Sequence, residues 1–332
     1  MSPISKRLKI WAWGTMLLLL TATSSMAFET CSTAAEMEAN TRAALERAAS
    51  QYTQMAASGD VSSLRQNSIA SLATNFGGVE NAISQNKSNF SGAQPSTRAS
   101  YLLEAPGNAP LERAEFFCGV FNSPERVAFA IPNLPPGHYG LVIEDLQGSQ
   151  APSVLTLILQ QEQGRWKLAG FYPRATQIGG HDGKWFVEKA RAYRAKGENH
   201  NAWFYYVLAW NVQAPVDFMS TTQLDKLADE MQQVRPSDLP GSSPMTLTAG
   251  SQTYRVTQLF PTAVGNDLDL VVKYEAADIS NSGQTFQNNM ALIKALVTRY
   301  PEYREAFAAV VARAVDPRGQ DYGSLQAMKE IK

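Results

Sequence analysis

Apolar positions along the chain change period several times, and each change marks a different kind of element. Over residues 34–58, Met37, Ala44, Leu45, Ala48, Tyr52 and Met55 fall on one stripe among Ala, Glu, Arg and Gln, which predicts a long amphipathic helix. Gly59-Asp60 supplies its stop. A second, less regular helical stretch is expected over 61–86, broken at Gly77-Gly78, and the polar segment 86–100 reads as loop. Between 114 and 173 the period falls to two. The β-rich runs 126–131, 139–146, 154–161 and 166–172 are separated by Pro135-Pro136-Gly137, Gln147-Gly148-Ser149 and Gln163-Gly164.

Beyond residue 180 the helical period returns. Residues 184–215 predict two helices joined near Gly197-Glu198-Asn199-His200. A third helix is expected over 220–234, where Ser220 and Gln223 fit a capping box and Leu224, Leu227, Met231 and Val234 form an apolar stripe. Pro236, Pro240, Gly241 and Pro244 make 235–244 a linker. Strands follow at 245–249, 252–260 and 268–274, then helices at 288–299, 301–315 and 324–331. Helices ahead of a sheet, then a helical segment, then a second mixture give an α+β class. The expected organisation is an export segment at 1–27, an N-terminal helix-plus-antiparallel-sheet domain at 28–178, a helical segment at 179–236 and a small C-terminal α+β domain at 237–332.

Two resemblances sharpen this outline. The long first helix ending in Gly59-Asp60, followed by a sheet whose late strand reads Trp166-Lys167-Leu168-Ala169-Gly170-Phe171, resembles the NTF2-like (cystatin-like) superfamily over about 150 residues. That resemblance implies a curved sheet whose concave face often serves as a pocket. Ala190, Tyr193, Gly197, Ala202, Tyr206 and Ala209, closed by Pro215, resemble one tetratricopeptide (TPR) repeat. The physical reason is that small residues let two helices approach while the tyrosines fill the space between them. No second copy occurs at the 34-residue offset, so a lone hairpin has to lean on something else.

Composition adds destination. Lys6, Arg7 and Lys9 precede an apolar run over 10–20, and Ser25-Met26-Ala27 fits a signal-peptidase site, so the mature chain is expected in the periplasm or outside the cell. Phe28 and Glu29 ahead of Cys31 do not suit a lipid-modification site. No later segment is long and apolar enough to span a membrane. Cleavage leaves 26 basic against 30 acidic residues, which gives no basic field for nucleic acid. In an oxidising compartment Cys31 and Cys118, the only two cysteines, read most simply as one disulfide.

Chemistry-bearing motifs are sparse. There is no G-x-S-x-G elbow, no H-E-x-x-H, no phosphate-cradling glycine loop and no CxxC, and His138, His181 and His200 are scattered. Asp278 to Gly283 imitates half an EF-hand loop, but Asn289 stands where the bidentate Glu belongs, so a turn entering a helix is the better account. Asp267 and Asp269 share one strand face, expected to be solvated. No catalytic residue, metal site or cofactor is therefore assigned.

Two features remain for binding: the charge on the first hairpin helix, including Arg191 and Arg194, and the aromatic crowding of the second, including Trp203, Phe204 and Tyr205. Burial against flanking domains accounts for most of the aromatics, and an exposed patch where a partner docks is the alternative. The resulting expectation is an exported, non-catalytic binding or scaffold protein of the bacterial envelope, with another envelope protein as partner through the hairpin. The alternative is a small-ligand carrier or enzyme using the NTF2-like sheet. Thiol titration of denatured, unreduced mature protein should find no free thiol; two free thiols would exclude the Cys31–Cys118 bridge.

Overall fold

The computed structural model describes residues 28–120, 123–149 and 151–332, so the expected export segment at 1–27 lies outside the described residues. Strand β1 (Thr30–Thr33) leads into helix α1 (Ala39–Ser58), whose first turn is capped by Glu38 accepting from the Thr41 amide. Gly59 ends the helix at φ 74°, a left-handed conformation that glycine adopts without steric cost. Four short helices follow: α2 (Val61–Gln66), α3 (Ala70–Thr74), α4 (Gly77–Gln85) and α5 (Lys87–Phe90). The Gly77-Gly78 pair opens α4 rather than breaking a helix.

Strands β2 (Gln94–Ala105), β3 (Leu111–Cys118), β4 (Val127–Leu134), β5 (Gly137–Gln147), β6 (Ser153–Glu162) and β7 (Arg165–Ala175) come next. The start of β2 falls in the segment expected to be loop. Its first half stays largely exposed and therefore lacks an apolar alternation. The first sheet has the order β1-β2-β5-β6-β7 and is antiparallel throughout. Leu45, Ala49, Tyr52 and Ala56 of α1 pack on one face against Val142, Leu155 and Leu157. The helix lies so close that a Cβ on Gly140 would come 2.1 Å from Leu45 Cδ1.

A ribbon of β8 (Gln177–Ile178) and β9 (His181–Asp182) leads to α6 (Gly183–Ala195) and α7 (Asn199–Gln213). Their connection turns at Gly197, φ 80°. Ala190 and Ala202 are fully buried in the hairpin. Strand β10 (Met219–Thr221) and helix α8 (Thr222–Gln233) follow. The α8 cap is Thr221, whose Oγ1 accepts from the Leu224 amide at 3.1 Å. Ser220 instead donates to Asp225 at 2.7 Å.

Strand β10 pairs with β4, so a second sheet of order β10-β4-β3 covers the other face of the first. Tyr101, Leu141 and Ile143 meet Phe116, Phe129 and Met219 between the two sheets. Cys31 on β1 and Cys118 at the end of β3 form a disulfide with Cα atoms 5.1 Å apart, fastening one sheet to the other. Closing a loop of this length typically adds about 2–4 kcal/mol.

The C-terminal part contains β11 (Met245–Ala249), β12 (Gln252–Val264), β13 (Asp267–Glu275), α9 (Ser282–Arg299), α10 (Tyr303–Ala306), β14 (Ala309–Val315) and β15 (Asp321–Ala327). Its sheet runs in the order β11-β12-β13-β14-β15, with β13 and β14 parallel and α9 crossing between them. Two expected helices are corrected here. Residues 301–315 hold only one short helical turn and then β14, because Val310, Ala312 and Ala314 alternate into the core with a period of two. Residues 324–331 contain the end of β15 and a single 3-10 turn (Met328–Glu330). Asp269, expected on a solvated face, is also corrected. It is buried, and that burial, with the charge of Asp267, pushes its carboxyl up. Asn281 caps α9, as the turn reading of 278–283 required.

One carboxylate in the N-terminal part is fully enclosed. Glu144 lies beneath α1 and accepts from Ser50 Oγ at 2.8 Å and from Thr53 Oγ1. Desolvation raises its pKa although both hydroxyls oppose the shift. A folded-state pKa above the unfolded one gives stability that is present in acid and lost as pH rises through the folded value. Glu144→Gln keeps the acceptor and removes the titration. Its thermal midpoint should match the parent near about pH 4 and exceed it near about pH 8; equal midpoints at both would contradict this.

Candidate functional site

Pairing of β10 with β4 brings α8 alongside the first sheet, and a cleft of about 900 Å³ opens between β2 and β5 on one side and α6 and α8 on the other. Tyr101, Ile143, Val187, Val212, Met219 and Leu227 form its apolar floor. Charged groups border it: Arg98, Lys184, Arg191 and Lys226 against Asp182 and Glu230.

The charges divide into held and available groups. Arg98 is paired with Asp145, its Nε lying 3.3 Å from Oδ2. Asp182 caps α6, accepting from the Trp185 amide at 2.9 Å. Arg191 grips Glu230 through two bonds of 2.8 and 2.6 Å, and Tyr206 donates to the same carboxylate at 2.8 Å. These contacts, the Arg191 bonds foremost, hold the Glu230 pKa below its ordinary value despite partial burial. Among the described residues, Lys184 and Lys226 have no carboxylate within salt-bridge distance and both are exposed. The cleft therefore presents two cations without ion-pair partners, beside the helix-capping carboxylate of Asp182, above an apolar floor.

Its walls are pinned from both sides. Arg126 at the start of β4 pairs with Asp225 of α8 and donates to Ser220 Oγ at 3.3 Å. Thr222 Oγ1 donates to the Ser123 carbonyl at 2.8 Å. Arg174 on β7 donates to the Ala214 carbonyl at 3.0 Å and to Asp217 at 2.9 Å. The opening is thus set by bonds between segments far apart in sequence.

Of the residues singled out for partner binding, the structure brings only Arg191 to this cleft. Arg194 is exposed one turn farther along α6. Trp203 is half-buried, with the Arg235 guanidinium 5.5 Å from its ring centre. Phe204 and Tyr205 are buried, which removes them from any accessible patch. Phe204 packs 6.0 Å from both Tyr303 and Phe307, and Tyr205 donates to the Ala306 carbonyl at 2.9 Å. The burial follows from α7 being apolar around most of its circumference.

The three histidines occupy separate places. His138 faces Glu104, His181 stacks on Trp185 with ring centres 3.6 Å apart, and His200 lies between Asp238 and Glu302. Among the described residues no group of three or more His, Cys, Asp or Glu side chains is placed to hold a metal ion. The first sheet carries α1 on one face and the second sheet on the other.

Sequence reasoning missed Arg98, Lys226, Glu230 and most of the floor, because they come from distant segments. The charge on α6 was the one signal that pointed toward them. No family model, no curated protein and no solved structure matches this chain, so geometry carries the functional reading.

The Arg191–Glu230 grip gives a checkable number. Glu230 contributes stability above its unfolded pKa, and that contribution is lost as pH falls through its lowered folded value. Because Arg191 is more than half exposed, solvent screening keeps the pair small. Arg191→Ala should cost roughly 0.5–1 kcal/mol in urea unfolding at neutral pH. The difference should fade in acid; a loss equally large at low pH would show that packing, not the pair, was removed.

Proposed function

We propose that this chain is an exported, non-catalytic binding protein of the bacterial envelope that receives an acidic, partly apolar segment of another envelope protein. The observation that carries this reading is the cleft between the first sheet and the helices: an apolar floor bordered by Lys184 and Lys226, which lack carboxylate partners among the described residues. Apolar burial supplies affinity in such a groove, and the cations select the sign of the ligand and speed encounter. In this reading the α6–α7 hairpin is a single TPR-like unit that builds one wall. The N-terminal part is an NTF2-like framework whose sheet carries α1 on one face and the second sheet on the other. The Cys31–Cys118 pair suits an oxidising compartment, and no described helix is long and apolar enough to cross a membrane.

The test uses two fluorescein-labelled peptides, one alternating leucine with glutamate and one alternating leucine with lysine, titrated with mature protein and followed by anisotropy. The acidic peptide should bind, weaken with added salt, and lose about tenfold or more in affinity to the Lys184→Glu/Lys226→Glu double variant. Circular dichroism checks that the variant is folded. Equal binding of the basic peptide, or no loss in the double variant, would overturn the reading.

A further inference from the structure

A second surface, at one margin of the C-terminal sheet, has the features of a strand acceptor. Strand β11 is the outermost strand of that sheet, and among the described residues its outer edge has no strand beside it. A bare edge offers a row of backbone donors and acceptors at the spacing another strand requires. Helix α9 packs on the same sheet and also touches β11, and the two line a groove of about 660 Å³. Leu247 and Ala249 line it from the strand, and Ala291, Ala295 and Thr298 line it from the helix.

Charge fixes the direction of such a strand. β13 and β14 are parallel and joined through α9, and β11 and β12 alternate in direction from β13, so β11 runs opposite to α9. The start of β11 therefore lies at the C-terminal end of α9, where Arg299 Nη1 reaches the Thr246 carbonyl at 3.5 Å. Lys294 lines the same groove and has no carboxylate within salt-bridge distance among the described residues. Among the described residues the carboxylate within reach of Arg299 is Asp238, at 3.7 Å. A segment added antiparallel to β11 ends at Thr246, with its terminal carboxylate beside these cations. A segment added in parallel would begin there and bring an ammonium group against them.

We infer that the β11 edge and α9 form a strand-addition site for an extended peptide that runs antiparallel to β11 and ends in a carboxylate near Arg299 and Lys294. Main-chain bonds to β11 supply general affinity, and the alanine-lined groove admits the peptide side chains that point inward. This site shares no residue with the cleft lined by Lys184 and Lys226, so it stands independently of the function proposed above.

The probe is a displayed library of random ten-residue peptides with free carboxyl ends, selected on the mature protein. Enriched sequences are resynthesised with free and with amidated ends. The free-ended peptides should bind and slow amide exchange in residues 245–249. Amidation, Lys294→Glu or Ala295→Leu should each weaken binding about tenfold, the first two by removing an ion pair and the third by filling the groove. Lys294 is exposed, so its variant keeps the test valid should Ala295→Leu fold poorly. No enrichment, protection mapped to the cleft instead of β11, or affinity indifferent to amidation and to Lys294→Glu would each overturn the proposal. So would a concentration-dependent dimer in which the β11 edges of two copies pair with each other.

Discussion

A helix without a continuous polar face has to be enclosed, and α7 imposes that condition on the molecule. Ala202, Phe204, Tyr205, Tyr206, Leu208 and Ala209 are all buried. Each large side chain among them represents about 1.5–3 kcal/mol of burial that no two-helix hairpin could realise alone. Helix α6 covers one side, α8 a second, and the C-terminal sheet with α9 and α10 the rest, so these elements share one core. The tyrosines contribute polar tips as well as area: Tyr193 donates to the Glu305 carbonyl at 3.0 Å, and Tyr206 reaches Glu230. With α7 fixed in this way, the chain leaving it at Ala214 emerges beside the first sheet. That placement allows β10 to reach β4 and leaves the cleft between them.

The segment after α8 is drawn into the same arrangement. Asp238 accepts from Tyr300 at 2.8 Å and lies 2.8 Å from His200 Nε2, while His200 Nδ1 lies 3.1 Å from Glu302. Burial would raise the Asp238 pKa, but its bonds to His200 and Tyr300 outweigh this and lower it. Leu239 packs against the shared core. A stretch rich in proline and glycine is thus anchored at its centre, and the chain enters β11 from a fixed point. This is why the edge of β11 sits squarely beside α9.

Elements whose apolar period was strong were legible in the sequence. The runs at 139–146 and 154–161 and the hairpin helices appear within a few residues of their expected bounds, and the first helix ends where expected but starts at Ala39 rather than at 34. Those that failed share a cause. In β14, alanines at 312 and 314 carry the inward alternation, and alanine also favours helices, so local preference and tertiary placement disagreed. In β2 the exposed first half has no alternation to detect. The cysteine pair was accessible to counting, since two cysteines allow one pairing. The cleft was not, because its floor and rim are assembled from six stretches of chain that come together only through long-range contacts, the β10–β4 pairing among them.

That pairing also sets a timetable for the chain. The second sheet joins residues 127–129 to residues 219–221, nearly a hundred positions later. Loop closure over such a span is slow relative to hairpin formation, and long-range strand pairing of this kind retards folding. As the polypeptide emerges from its amino end, β3 and β4 can form their hairpin, yet β4 keeps one open edge until α6 and α7 have been delivered and have packed. During that interval Val127, Ala128 and Phe129 present unpaired backbone, the kind of exposed edge that recruits a neighbouring chain. A chain cut anywhere between residues 179 and 218 would make the interval permanent. The N-terminal half therefore depends for its solubility on a strand encoded beyond its own apparent boundary.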